Sequence, residues 1–84
     1  MTQEKKQIVN DLIDIDNYIW GKYGYTCRPA GYEYIELVLN IADQIAYRFN
    51  PDIITDDIQE VLTNENYHTL NHAIDIVKHV NKYA

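Results

Sequence analysis

The sequence predicts an all-α fold, a compact bundle of about four short helices. Three observations carry that prediction. Apolar residues recur at steps of three and four in four separate stretches, which is the spacing of residues that share one side of a helix. The stretches are divided by short connections rich in Gly, Pro and Asn, which punctuate rather than continue a helix. A hydrophobic fraction of 46% in 84 residues is too high for a disordered acidic tail and suits one small domain, 1–84, with a modest core.

The first helix is predicted from about Glu4 to Trp20. Ile8, Leu12, Ile15 and Ile19 form its apolar side, Val9, Ile13 and Trp20 widen it, and Gly21 supplies a stop. Asp11 and Asp14 lie elsewhere, whereas Asp16 lies beside Trp20, one turn on. The ten residues GKYGYTCRPA, from Gly21 to Ala30, read as a loop that buries its own aromatics.

A second helix is predicted from about Gly31 to Phe49. Ile35, Val38, Ala42, Ile45 and Phe49 mark its core side, with Tyr34 and Ile41 adjoining, and Asn50-Pro51 ends it. A third, short helix runs from Asp52 or Thr55 to Leu62, with Ile54, Ile58, Val61 and Leu62 inward. Thr55 is its N-cap, and Asp56 and Asp57 stand in the first turn, where the helix dipole favours acid. After the polar turn Thr63 to Asn66, the fourth helix is predicted from about Asn66 to Lys82, with Tyr67, Leu70, Ile74 and Val77 as its apolar stripe.

Composition narrows the function classes. Thirteen acidic side chains face seven basic ones, a formal charge of −6. Such a charge repels nucleic acid and anionic membrane. One cysteine, Cys27, excludes an internal disulfide and suits a reducing cytoplasm. Met1 to Gln7 is polar with no apolar signal core, and no apolar run approaches the roughly 20 residues of a membrane span. The chain therefore reads as cytoplasmic, with no membrane partner.

Three constellations stand out. Glu33, Glu36, Asn40 and Asp43 share one side of the second helix, and Asp52, Asp56, Asp57 and Glu60 cluster around the third. Only Lys22, Arg28 and Arg48 lie between residues 7 and 77, so these acids are poorly neutralised. Ordered carboxylates can imitate a row of phosphates and occupy a basic cleft; the plainer reading is a solubilising surface. Five of the eight tyrosines, Tyr18, Tyr23, Tyr25, Tyr32 and Tyr34, fall within 17 residues. Tyrosine joins apolar area to a polar tip and serves contact surfaces well. Tyr23, Tyr25 and Tyr32, beside Glu33 and Glu36, are the candidate contact patch; about half of the tyrosines are expected to be structural.

On the fourth helix, His68, His72, Asp75 and His79 are spaced four, three and four, so they share a narrow side opposite the apolar stripe. Histidines four apart can bind zinc with an aspartate as oxygen ligand. The plainer readings are a solvated polar side with a His79–Asp75 contact, or a pH-sensitive contact surface. There is no cysteine partner and no H-E-x-x-H pattern, so neither metal nor cofactor is expected. The sequence also lacks a G-x-S-x-G turn, a P-loop and a Gly-rich dinucleotide turn, and the chain reads as a non-enzyme.

Three short motifs support a family resemblance. Gly31-Tyr32-Glu33-Tyr34-Ile35 opens the second helix, Ile54-Thr55 opens the third, and His72-Ala73-Ile74-Asp75 lies in the fourth. With these, the stretch from Tyr23 to His79 resembles the C-terminal DNA-binding effector domain of the master sporulation response regulator of endospore-forming bacteria. The resemblance implies a helical bundle containing a helix-turn-helix, here degenerate. The segment between Thr55 and His72 is several residues shorter than in that family, and the two arginines of its recognition helix appear here as His68 and Asn71. DNA affinity needs cations that displace counterions from phosphate, and base reading favours arginine on guanine. This helix offers no arginine, and its only lysines, Lys78 and Lys82, stand near its end.

Three functional expectations follow. The first is a non-enzymatic inhibitor or adaptor that covers a basic, nucleic-acid-binding surface of a partner protein. Its size and charge are analogous to anti-CRISPR, anti-restriction and DNA-mimic proteins of phages and other mobile elements. Glu33, Glu36, Asp43, Asp56, Asp57 and Glu60 would meet arginine and lysine, with Tyr23, Tyr25 and Tyr32 adding buried area, and no nucleic acid would be bound directly. The second is a divergent helix-turn-helix regulator using Arg48, Lys78, Lys82 and the histidines on phosphate. The third is a metal-binding protein built on His68, His72, Asp75 and His79.

Overall fold

Thr2 opens the first helix: its hydroxyl accepts the backbone N–H of Lys5 at 3.2 Å, satisfying one of the donors that every helix start leaves free. The computed structural model describes residues 1–24 and 29–83, without the side chains of 81–83. Among them are four α-helices and no strand: α1 (Gln3–Tyr23), α2 (Tyr32–Arg48), α3 (Asp56–Asn64) and α4 (His68–Tyr83). Tyr25, Cys27 and Arg28 lie outside the described residues.

α1 is longer than expected. It runs through Gly21, which meets no steric conflict there, and stops at Gly24 instead. Gly24 has φ 72°, and its N–H bonds back to the carbonyls of Trp20 and Gly21 at 3.0 and 3.2 Å. A left-handed closing residue of this kind favours glycine. α2 also begins after a glycine with positive φ, Gly31 at 61°.

After α2, Asn50 and Pro51 form a 3₁₀ turn over Pro51–Ile53, with the Asn50 side chain accepting the Asp52 N–H at 3.1 Å. Thr55 stands at the N-cap of α3 but makes no capping bond to the backbone. Its hydroxyl donates to the Asp57 carboxylate instead, a charged acceptor being the stronger one. α3 and α4 are joined by a tight turn over residues 65–67. Asn66 takes φ 67° there, and the Tyr67 N–H reaches back to the Leu62 carbonyl at 2.8 Å.

The core is aliphatic. Val9, Leu12, Ile15 and Ile19 of α1 meet Leu37, Val38, Ile41, Ala42 and Ile45 of α2, together with Ile54, Ile58, Leu62, Leu70, Ala73, Ile74 and Val77. Each fully buried large aliphatic chain contributes about 1.5–3 kcal/mol. The inward side of α2 differs from the expected one: Leu37 is fully buried, while Ile35 is 52% exposed. α2 packs mainly on α4 and then on α1; α3 packs on the same two helices rather than on α2. The molecule measures 34 × 29 × 20 Å. Among the described residues, no helix is long and apolar enough to cross a membrane.

Candidate functional site

α2 places Glu33, Glu36 and Asp43 on its solvent side, all exposed. The steps of three and seven between them keep the carboxylates on one side of the helix. The row continues to Tyr47, which is 88% exposed and was not singled out from the sequence, although its spacing of four from Asp43 points to it. Asn40, in the middle of the row, turns sideways: its amide donates to the Tyr23 hydroxyl on α1 and, at 2.8 Å, to the Glu36 carbonyl.

That contact corrects the expected tyrosine patch. Tyr23 belongs to the last turn of α1, is half-buried against the core and holds α1 to α2. Tyr32 is 85% exposed and remains available. Tyr25 falls outside the described residues.

The acids of α3 divide as well. Asp56 and Glu60 are exposed. Asp57 is not free: the Lys5 ammonium lies 2.7 Å from it in an ion pair that ties α3 to α1, and Thr55 donates to its other oxygen. The hydrogen bonds from Lys5 and Thr55 hold its carboxyl down to about 2. α2 and α3 pack on α1 and α4 rather than on each other, so the exposed acids of the two sets stand on different elements: a row on α2, Asp52 in the 3₁₀ turn, and Asp56 and Glu60 on α3. Among the described residues, no cation lies within ion-pair distance of Glu33, Glu36, Asp43, Asp56 or Glu60.

One acid is inside the molecule. Asp16 is 6% exposed and accepts the Trp20 indole N–H at 3.2 Å. Burial raises its carboxyl to about 6, with the indole hydrogen bond acting in the opposite direction. The sequence places Asp16 beside Trp20 but does not show that both turn inward.

The polar side of α4 is divided between its neighbours. His72 meets α2, with the Tyr34 hydroxyl 3.4 Å from its Nδ1 and the two ring centres 6.0 Å apart. Asp75 meets α3, accepting from the Gln59 amide at 2.9 Å. Gln59 also accepts from Lys78 at 2.6 Å through its side chain and from Asn71 at 3.0 Å through its carbonyl. This network locks α3 to α4 and engages two residues that the metal and DNA readings assigned elsewhere, Asp75 and Lys78. Among the described residues, no three His, Cys, Asp or Glu side chains are placed to hold a metal ion. Arg48 lines an open depression of about 270 Å³ together with Asp11, Asp14 and Phe49, and two carboxylates beside it disfavour a phosphate there.

No protein family, curated protein or solved structure matches this chain. The three motifs of the family resemblance occupy the start of α2, the approach to α3 and the middle of α4.

Proposed function

We propose that this protein is a small, acidic, non-enzymatic binding module that covers a basic, nucleic-acid-binding surface of a partner protein, as an inhibitor or adaptor. The observation that carries the reading is the exposed row Glu33, Glu36 and Asp43 on α2, with no cation in ion-pair reach among the described residues. A rigid helix in a folded bundle holds these carboxylates at fixed spacing, so a basic surface meets them without ordering them first. Opposed charge steers the encounter and rejects nucleic acid as a competitor. Tyr32 and Tyr47 supply contact area beside the acids.

Affinity capture from a lysate of the source organism tests this reading, with wild type and Glu33→Lys/Glu36→Lys/Asp43→Lys compared at low and high salt. The wild type is expected to retain a basic, nucleic-acid-binding protein at low salt, to block its nucleic-acid binding, and to lose it at high salt or on charge reversal. Equal retention by the reversed variant would overturn the proposal.

One observation favours a second reading. α3, the tight turn at 65–67 and α4 follow one another as in a helix-turn-helix. Net charge and the engagement of Lys78 by Gln59 oppose DNA docking. A low-salt gel-shift screen decides: sequence-selective retardation of duplex DNA would support the regulator and exclude the binding module.

A further inference from the structure

The outward side of α2 carries two stripes, and only one is acidic. Tyr32, Ile35 and Leu39 are 85%, 52% and 47% exposed and step by three and four. The same steps continue to Ala42, closed off by the core, and Ala46, which is exposed. Tyr32, Leu39 and Ala46 are thus seven apart, with Ile35 and Ala42 between them, which is the repeat by which one helix receives another. Large side chains occupy the first half of this seam, and the small, exposed Ala46 lets a second backbone approach at the other end.

Both borders of the seam are defined. On the side away from the core, Glu36 and Asp43 are also seven apart and stand three or four residues from Tyr32, Leu39 and Ala46, on whose flank they lie. Residues at that position face the flank of an incoming helix and select it by charge. On the other side, His72, Ile76 and Val80 step by four along α4. His72 meets Tyr34 of α2, so this stripe follows the α2 side of α4, and it ends in Val80, which is 59% exposed. Single exposed apolar residues are ordinary, but a continuous row bordered by charge marks a contact surface.

We infer that this seam is a docking site for an amphipathic helix of a partner protein, one with an apolar stripe flanked by lysine or arginine. Charge complementarity selects that occupant. A second copy of the chain would bring Glu36 and Asp43 against carboxylates of its own kind, in a protein whose charge is already −6. The inference rests on the binding-module reading and narrows it: the basic element is a helix, the kind that nucleic-acid-binding proteins lay in a groove.

Calorimetry with two synthetic peptides of about three heptads tests it. One peptide has leucine at the stripe positions and lysine beside them; the other has the same composition scrambled so that no stripe forms. The striped peptide is expected to bind with one-to-one stoichiometry, roughly tenfold tighter than the scrambled one. Ile35→Asp/Leu39→Asp and Glu36→Lys/Asp43→Lys should each weaken it by about tenfold, with helix content unchanged by circular dichroism. Unchanged binding to Ile35→Asp/Leu39→Asp would overturn the inference. Equal binding of both peptides, lost on reversal of Glu33, Glu36 and Asp43, would remove the seam and leave the acidic reading standing. If neither peptide binds while a basic protein is still captured from lysate in a charge-dependent way, the seam again falls alone. A dimer in sedimentation equilibrium that Leu39→Asp disperses would make the occupant a second copy and overturn the inference as well.

Discussion

The middle of α1 and the outer side of α2 carry the same kind of side chain under opposite conditions. Asp16 on α1 is buried against Trp20, and burial raises its carboxyl to about 6. Glu33, Glu36 and Asp43 on α2 stand in solvent with no cation in reach among the described residues. Asp57 is a third case, tied to Lys5 and Thr55 and held down to about 2. The comparison teaches that a net charge of −6 is not one property. One carboxylate acts against the fold when it ionises, one supports the fold, and the row on α2 has no internal task.

The first way to break the contrast between inner and outer regions lies within α2. Leu37 is fully buried and Ile35 is 52% exposed. Leu37→Ala removes core contacts and leaves a cavity, and should cost about 2–5 kcal/mol. Ile35→Ala removes side-chain area that is already half in water and should change stability by less than about 1 kcal/mol. Urea denaturation of both variants checks this. Equal losses would mean that the side of α2 described as outer belongs to the core.

The second prediction concerns Asp16 and its sign. A raised carboxyl binds its proton more tightly in the folded state than in the unfolded chain. Its contribution to stability is therefore fully present below about pH 4 and is lost as pH rises through about 6. The shift corresponds to about 3 kcal/mol. Asp16→Asn keeps an oxygen to accept the indole N–H and removes the titration. Relative to wild type, the variant should gain up to about 3 kcal/mol between pH 4 and pH 8, read from urea midpoints. Asp57 runs the other way: its contribution is present above about pH 4 and is lost as pH falls through about 2. A constant difference between Asp16→Asn and wild type across this range would place Asp16 with the solvated acids.

These contrasts were unequally legible in the sequence. The helices were, because periodicity and turn residues are local. The inward side of α2 was only half legible: Tyr34, Ile35, Leu37, Val38, Leu39, Ile41, Ala42 and Ile45 cover more than half of its circumference. Which part turns inward is decided by α1 and α4, not by α2. The exposure of Glu33, Glu36 and Asp43 followed from their grouping away from the core residues. The loss of Asp57 from the free acids did not, since its partner Lys5 lies 52 residues away. The sequence groups Tyr23 with the loop because Gly21 is a natural helix stop, whereas one more turn of α1 brings its hydroxyl to Asn40.

The smallest expected effect is the sharpest test of the outer region. Glu33→Lys, Glu36→Lys and Asp43→Lys break no ion pair among the described residues and uncover no core side chain. Glu36→Lys and Asp43→Lys should each change stability by less than about 0.5 kcal/mol, whereas Glu33→Lys, in the first turn of α2 where the helix dipole favours acid, should cost about 0.3–1 kcal/mol; the triple variant should keep a urea midpoint close to that of the wild type. Relief of repulsion among the acids would move it slightly upward, more so at low ionic strength, where screening is weak. A variant that keeps its stability while losing a basic partner separates the two roles of acid in this molecule. A loss as large as that of Leu37→Ala would instead tie the row to the fold, and a row needed for folding gives no reason to expect a partner.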